Sequence, residues 1–148
     1  MMKSSYVRFV VTLLISLIVM WVLSMTMIDQ WGHFYFNLSN LWIAIVMVAA
    51  MGLIMMVSMR SMFENKRLNI ALYAGFVVLF VVSVLGARSA ALVGDEQFLK
   101  SMIPHHSRAV LMCQESDITD PEIEELCVQI IESQQKEIVE MERILDRK

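Results

Sequence analysis

The chain has 148 residues, of which 57% are hydrophobic, with 14 Met and a formal net charge of −3. The length suits one ordinary domain, but this composition excludes an average soluble one and puts most of the chain in a membrane. The near-neutral charge is a sum of unlike parts: residues 1–94 carry six Lys/Arg against two acids, and residues 95–148 carry six against thirteen, an acidic balance that excludes nucleic-acid binding through clustered Lys/Arg.

Three stretches, about 9–28, 41–59 and 68–87, hold no Asp, Glu, Lys, Arg or His, and each has the roughly 20 residues that a helix needs to cross a bilayer core. The first is longer than the apolar run of a cleaved signal peptide, and no small-x-small site follows it, so it reads as a retained anchor. In the connection after it, residues 29–40 contain no Lys or Arg; Trp31, Tyr35 and Trp42 fit an interfacial aromatic belt, and His33 reads as a solvated loop histidine. Along the second stretch Met47, Met51, Met55, Met59 and Met62 recur every three to four residues and form one stripe. Met is a flexible packing residue and also a soft ligand for Cu(I); packing is the favoured reading because Met is abundant throughout. Arg60, Lys66 and Arg67 fill the next connection, and Lys3 and Arg8 flank the first helix. This bias predicts a multi-pass protein of the inner (cytoplasmic) membrane with a cytoplasmic N terminus and, after three crossings, an extracytoplasmic C-terminal domain; Arg88 weakly opposes the assignment. With no charge inside the spans, residues 1–94 read as an anchor in the lipid bilayer and not as a transporter.

After Gly94 the pattern turns amphipathic. Phe98, Met102, His105, Ala109 and Met112 mark one face of a predicted helix from Asp95 to about Glu115, with a kink or local opening expected at Pro104. Thr119-Asp120-Pro121-Glu122 then predicts a helix start with a Thr119 hydroxyl cap, and Ile123, Leu126, Ile130, Ile131, Ile138, Met141 and Leu145 supply its apolar face. The fold class is therefore all-α: a three-helix anchor, residues 1–94, and a helical hairpin, residues 95–148. So small a hairpin needs a staple or a partner. Cys113 and Cys127, one or two turns from the connecting loop, form a disulfide, two free thiols or a pair of thiolate ligands, with the disulfide favoured. Homodimerisation into a four-helix bundle is the other expected staple.

Two of the three histidines, His105 and His106, fall between Met102 and Met112. Imidazole and thioether together suit copper, above all Cu(I), whereas solvated histidines and core methionines are the bland alternative. Phe98-Leu99-Lys100-Ser101-Met102-Ile103-Pro104-His105-His106, followed by Ala109 and Met112 and then by Ile130-Ile131-Glu132-Ser133-Gln134-Gln135-Lys136-Glu137-Ile138-Val139-Glu140-Met141, resembles the bacterial domain-of-unknown-function family 305. The resemblance covers nearly all of residues 95–148 and none of the membrane part. It implies a ferritin-like helical bundle, usually exported, of which some members bind copper through Met and His in copper resistance. By position it implicates Met102, His105, His106, Met112 and Met141 as ligands, with Glu137 as a residue supporting them. Many relatives carry two hairpins where this chain has one, which again implies a homodimer. Many also have Ala where Cys113 and Cys127 stand, which implies facing positions and favours the disulfide.

The leading function is thus a membrane-anchored, extracytoplasmic copper-binding protein for sequestration or delivery, working with a copper-handling membrane partner. The alternative is a cofactor-free interaction or dimerisation module. No Ser/His/Asp or reactive Cys/His arrangement is evident, and Glu137 and Glu140 have no His three residues on, so neither a hydrolase nor a di-iron oxidase is expected. Ligand histidines must be neutral, so copper affinity is expected to weaken as the pH falls through the range near 6.5.

Overall fold

A computed structural model describes residues 2–148, with side chains from Ser5 onward, so the side chain of Lys3 lies outside the described residues. Five α-helices follow one another, α1 (Met2–Ser24), α2 (Leu38–Ser58), α3 (Lys66–Arg88), α4 (Asp95–Glu115) and α5 (Pro121–Leu145), with no strand among the described residues. The chain divides into two compact units, residues 1–22 with 39–91 and residues 23–38 with 92–148.

The first unit holds three helices long and apolar enough to cross a membrane, spanning Ser5–Ser24, Leu38–Ser58 and Lys66–Arg88. Between 11% and 28% of each apolar window is buried in the protein. Exposed side chains such as Ile18, Ile54, Ile70, Val78 and Leu85 would be an aggregation hazard in water and suit contact with lipid. The core is Phe9, Leu13, Val48, Met56 and Phe63, with Phe9 edge-on to both Phe63 and Phe76. Small residues let α2 and α3 approach: a Cβ on Gly52 would stand 2.8 Å from the Phe76 ring, and one on Gly86 would stand 3.0 Å from Trp42. The Met stripe packs in its middle, where Met51 and Met55 lie against the core, and faces outward at Met47, Met59 and Met62. The most buried Met of α2 is Met56, which lies off the stripe.

After α3 the chain turns without glycine. Ala90 takes a left-handed φ of 48° while Ala91 N–H reaches back to Gly86 C=O at 2.9 Å, the two features of a Schellman helix end. The Trp42 indole N–H then donates to Ala91 C=O at 2.9 Å, holding the turn.

The second unit is an antiparallel pair of helices. Asp95 and Lys148 form an ion pair at one end, and Cys113 and Cys127 form a disulfide at the other, with Cα atoms 5.4 Å apart. Asp95 and Glu96 occupy the first turn of α4, where the helix dipole favours them. At the start of α5 the cap is Asp120, whose carboxylate accepts Glu122 N–H at 2.9 Å, and not the Thr119 hydroxyl. Pro121 explains the shift, since it takes the first helical position, where its missing N–H costs nothing, and keeps Asp120 extended. Helix α4 runs unbroken through Pro104, which is buried within the hairpin.

Two further expectations change. Residues 25–28 do not extend the first membrane helix: Met25 and Ile28 are buried in the second unit, to which the whole outer loop, residues 23–38, belongs. The buried line of α4 is Leu99, Ile103, His106 and Val110, and not Phe98, Met102, His105, Ala109 and Met112. The two lines are neighbours on the helix, about 100° apart, and both are apolar enough to serve. Leu99 and Ile103 of the first line pack with Ile138 and Met141 of α5, with Met102 against them, while Phe98 and Met112 are exposed.

Candidate metal centre

Met102 and His106 lie four residues apart on α4, and Glu137 and Met141 four apart on α5, so each pair shares a helix face. The antiparallel arrangement brings the pairs together. Met141 belongs to the buried cluster with Leu99, Ile103 and Ile138, against which Met102 packs, and His106 Nδ1 lies 3.2 Å from Glu137 Oε2. The contact is close but outside hydrogen-bonding geometry, so Nδ1 is a buried polar atom with no hydrogen-bond partner among the described residues. His106 is only 8% exposed. Burial holds its imidazole below the ordinary value of 6.5; the Glu137 carboxylate opposes that shift and His105 adds to it.

The other sequence-predicted ligands stand apart. His105 is exposed, its ring centroid 5.9 Å from that of His106. Met112 is 49% exposed and ten residues beyond Met102, about 15 Å along the helix. It therefore cannot share one ion with Met102 and Met141. Cys113 and Cys127 are joined to each other, which removes them as thiolate ligands. Among the described residues no group of three or more His, Cys, Asp or Glu converges as a metal site. The residues present suit a soft ion: two thioethers and a buried imidazole with an unsatisfied nitrogen fit copper, and they do not supply the several carboxylates or imidazoles that harder ions take.

The outer loop contributes residues that spacing alone could not connect to this place. His33, in a short 3₁₀ turn over Trp31–His33, is buried and not solvated. Its Nδ1 is 2.9 Å from Ser107 Oγ, and its Nε2 is 3.9 Å from Glu142 Oε1. Ser107 Oγ also accepts Asp29 N–H at 2.8 Å, and Gln97 Oε1 accepts Leu38 N–H at 3.0 Å. Tyr35 leaves the expected aromatic belt to pack against the Leu99, Ile103, Ile138 and Met141 cluster. Burial pushes its phenol above the ordinary value, and the Glu142 and Asp146 carboxylates add to the shift, against Lys100. Ser107, His33 and Glu142 thus form a serine, histidine and carboxylate constellation that the sequence did not reveal, its members being 74 residues apart in the case of Ser107 and His33. Ser107 is wholly buried and its hydroxyl is engaged twice, so the constellation holds the loop and offers no open nucleophile.

Residues 85–145 match the family described as Domain of unknown function (DUF305). The chain belongs to the DUF305 family. It is also 31% identical over 119 residues to the Uncharacterized protein L153 of Acanthamoeba polyphaga mimivirus, a match that covers 79% of this chain and 76% of that one. An alignment of that length cannot fit within residues 95–148, so the likeness extends into the membrane unit. No solved structure matches. The DUF305 match begins within α3 and contains every residue of the Met102, His106, Glu137 and Met141 group. Asp29, His33 and Tyr35 lie outside it.

Proposed function

We propose that this membrane protein binds copper, as Cu(I), for sequestration or delivery, with Met102, His106 and Met141 as ligands and Glu137 beside them. The observation that carries the proposal is the buried His106 Nδ1, which has no hydrogen-bond partner among the described residues, one helix turn from Met102, which packs against the cluster that holds Met141. The reading needs no catalytic step. Copper bound there would supply only a soft centre for two thioethers and an imidazole; the chain's own part is to keep that imidazole neutral and the thioethers dry. The Lys/Arg bias of the loops supports an extracytoplasmic hairpin, where a disulfide persists, and a copper-handling membrane protein is the natural recipient of the ion.

The test uses the full chain in detergent, titrated with Cu(I) without thiol reductant and in competition with a Cu(I) chelator. One Cu(I) per chain is expected. His106→Ala and the near-isosteric Met102→Leu and Met141→Leu variants should each lose affinity by tenfold or more, whereas Met112→Leu should leave it unchanged. A wild-type chain that retains no copper, or a His106→Ala chain with unchanged affinity, would overturn the assignment.

A second reading, an interaction module that forms a homodimer, is favoured by the apolar side chains left exposed near the disulfide, Met112, Ile123, Leu126 and Val128. It predicts a dimer indifferent to copper and broken by Leu126→Glu, as judged by sedimentation.

A further inference from the structure

We infer that the outer loop is a lid over the Met141 side of this site and that Ser107 is its latch, an inference that rests on Met102, His106 and Met141 being ligands. Three of the loop's contacts fall beside them, and a fourth, Leu38 N–H to Gln97 Oε1, ties its far end to α4. Ser107, which receives Asp29 and His33, follows His106 in sequence; Glu142, which faces His33, follows Met141; and Tyr35 packs directly on the cluster that contains Met141. With the loop seated and Tyr35 against its cluster, Met141 is 9% exposed, and His106 is 8% exposed.

A serine hydroxyl has one proton and two lone pairs. Ser107 Oγ accepts the Asp29 N–H and lies 2.9 Å from His33 Nδ1; in the tautomer with the imidazole proton on Nε2, facing the Glu142 carboxylate, the hydroxyl donates to Nδ1. The opposite tautomer would turn the Nε2 lone pair towards a carboxylate. One buried hydroxyl therefore joins a backbone amide and a side chain of the loop to α4, and its removal undoes both contacts. A lid changes the rates at which an ion enters and leaves and leaves the equilibrium affinity alone, whereas loss of a ligand changes the affinity itself.

The experiment loads the full chain with Cu(I) in detergent and follows transfer to excess chelator by stopped flow, beside hydrogen exchange of the metal-free protein. Ser107→Ala and His33→Ala are expected to release and take up Cu(I) about tenfold faster, the factor that one buried hydrogen bond is worth, with affinity within about twofold of wild type. The Asp29 amide should lose its protection in Ser107→Ala, which removes its acceptor. His33→Asn, whose side-chain amide can stand where ring Nδ1 stood, should restore slow exchange; a merely structural effect would not separate rate from affinity in this way. Variants that exchange copper at the wild-type rate, or a Ser107→Ala chain that keeps the Asp29 amide protected, overturn the latch while leaving the ligand assignment standing. A wild-type chain that takes up no Cu(I) overturns both.

Discussion

Burial keeps the His106 imidazole neutral below the pH at which a free one is charged. An unfolded chain takes up a proton there near pH 6.5, while the folded chain resists until the pH is lower still, so over that window the unfolded state binds more protons. Above the window both states are neutral and the group is silent. Stability should therefore fall as the pH drops from neutrality through 6.5, and His106→Gln should flatten that fall, as read from urea midpoints at several pH values. On the copper proposal the same shift keeps the His106 nitrogen unprotonated in mildly acidic solution, so copper should be held to a lower pH than free imidazole would allow. Ala90 is a different case, with strain in place of chemistry. Its left-handed φ of 48° suits glycine, and an L side chain there costs roughly 1 kcal/mol. Ala90→Gly should raise stability by about that amount, measured by thermal unfolding in detergent. The Met102 to His106 segment was legible in the sequence as a candidate site because residue types that can ligate a soft ion crowd it. Which imidazole is buried was not, since His105 and His106 differ by one position and only packing separates them.

Helices were legible wherever length or period marked them. The three membrane helices follow from charge-free runs, and α5 from its Asp-Pro start, although Pro121 moves the cap from Thr119 to Asp120. The buried line of α4 was not legible, because Phe98, Met102 and Met112 make as good an apolar line as Leu99, Ile103 and Val110. The choice fell to α5, whose Ile138 and Met141 meet the second line. That choice also divides the candidate ligands, leaving Met112 exposed and apart. The hairpin is closed at its loop end by Cys113 and Cys127, 14 residues apart, and the chain-entropy model values such a loop at about 3 kcal/mol. A Cys113→Ser/Cys127→Ser double variant should lose roughly this much in chemical denaturation, and reduction of the wild type should reproduce the loss.

Taken as a whole molecule, the hairpin is not the bare two-helix unit that its sequence suggests. Residues 23–38 pack into it and cover part of the face for which a second copy of the chain was expected. The isolated segment 92–148 should consequently be less stable than the same segment supplied with a 25–38 peptide, and should self-associate more, as thermal unfolding and sedimentation would show. An isolated segment as stable as the pair would mean that the loop adds nothing. From composition and spacing alone came the three apolar spans, the acidic hairpin, the paired cysteines and the His and Met residues that suit a soft ion, because each is written in local runs or periods. The tertiary structure alone decided that His33 is buried, that Ser107 and Glu142 receive it, and that Met141 and not Met112 stands with Met102. Those relations join residues tens of positions apart, and only the packing of one helix on another, with a loop laid across both, selects among the faces that local pattern leaves equivalent.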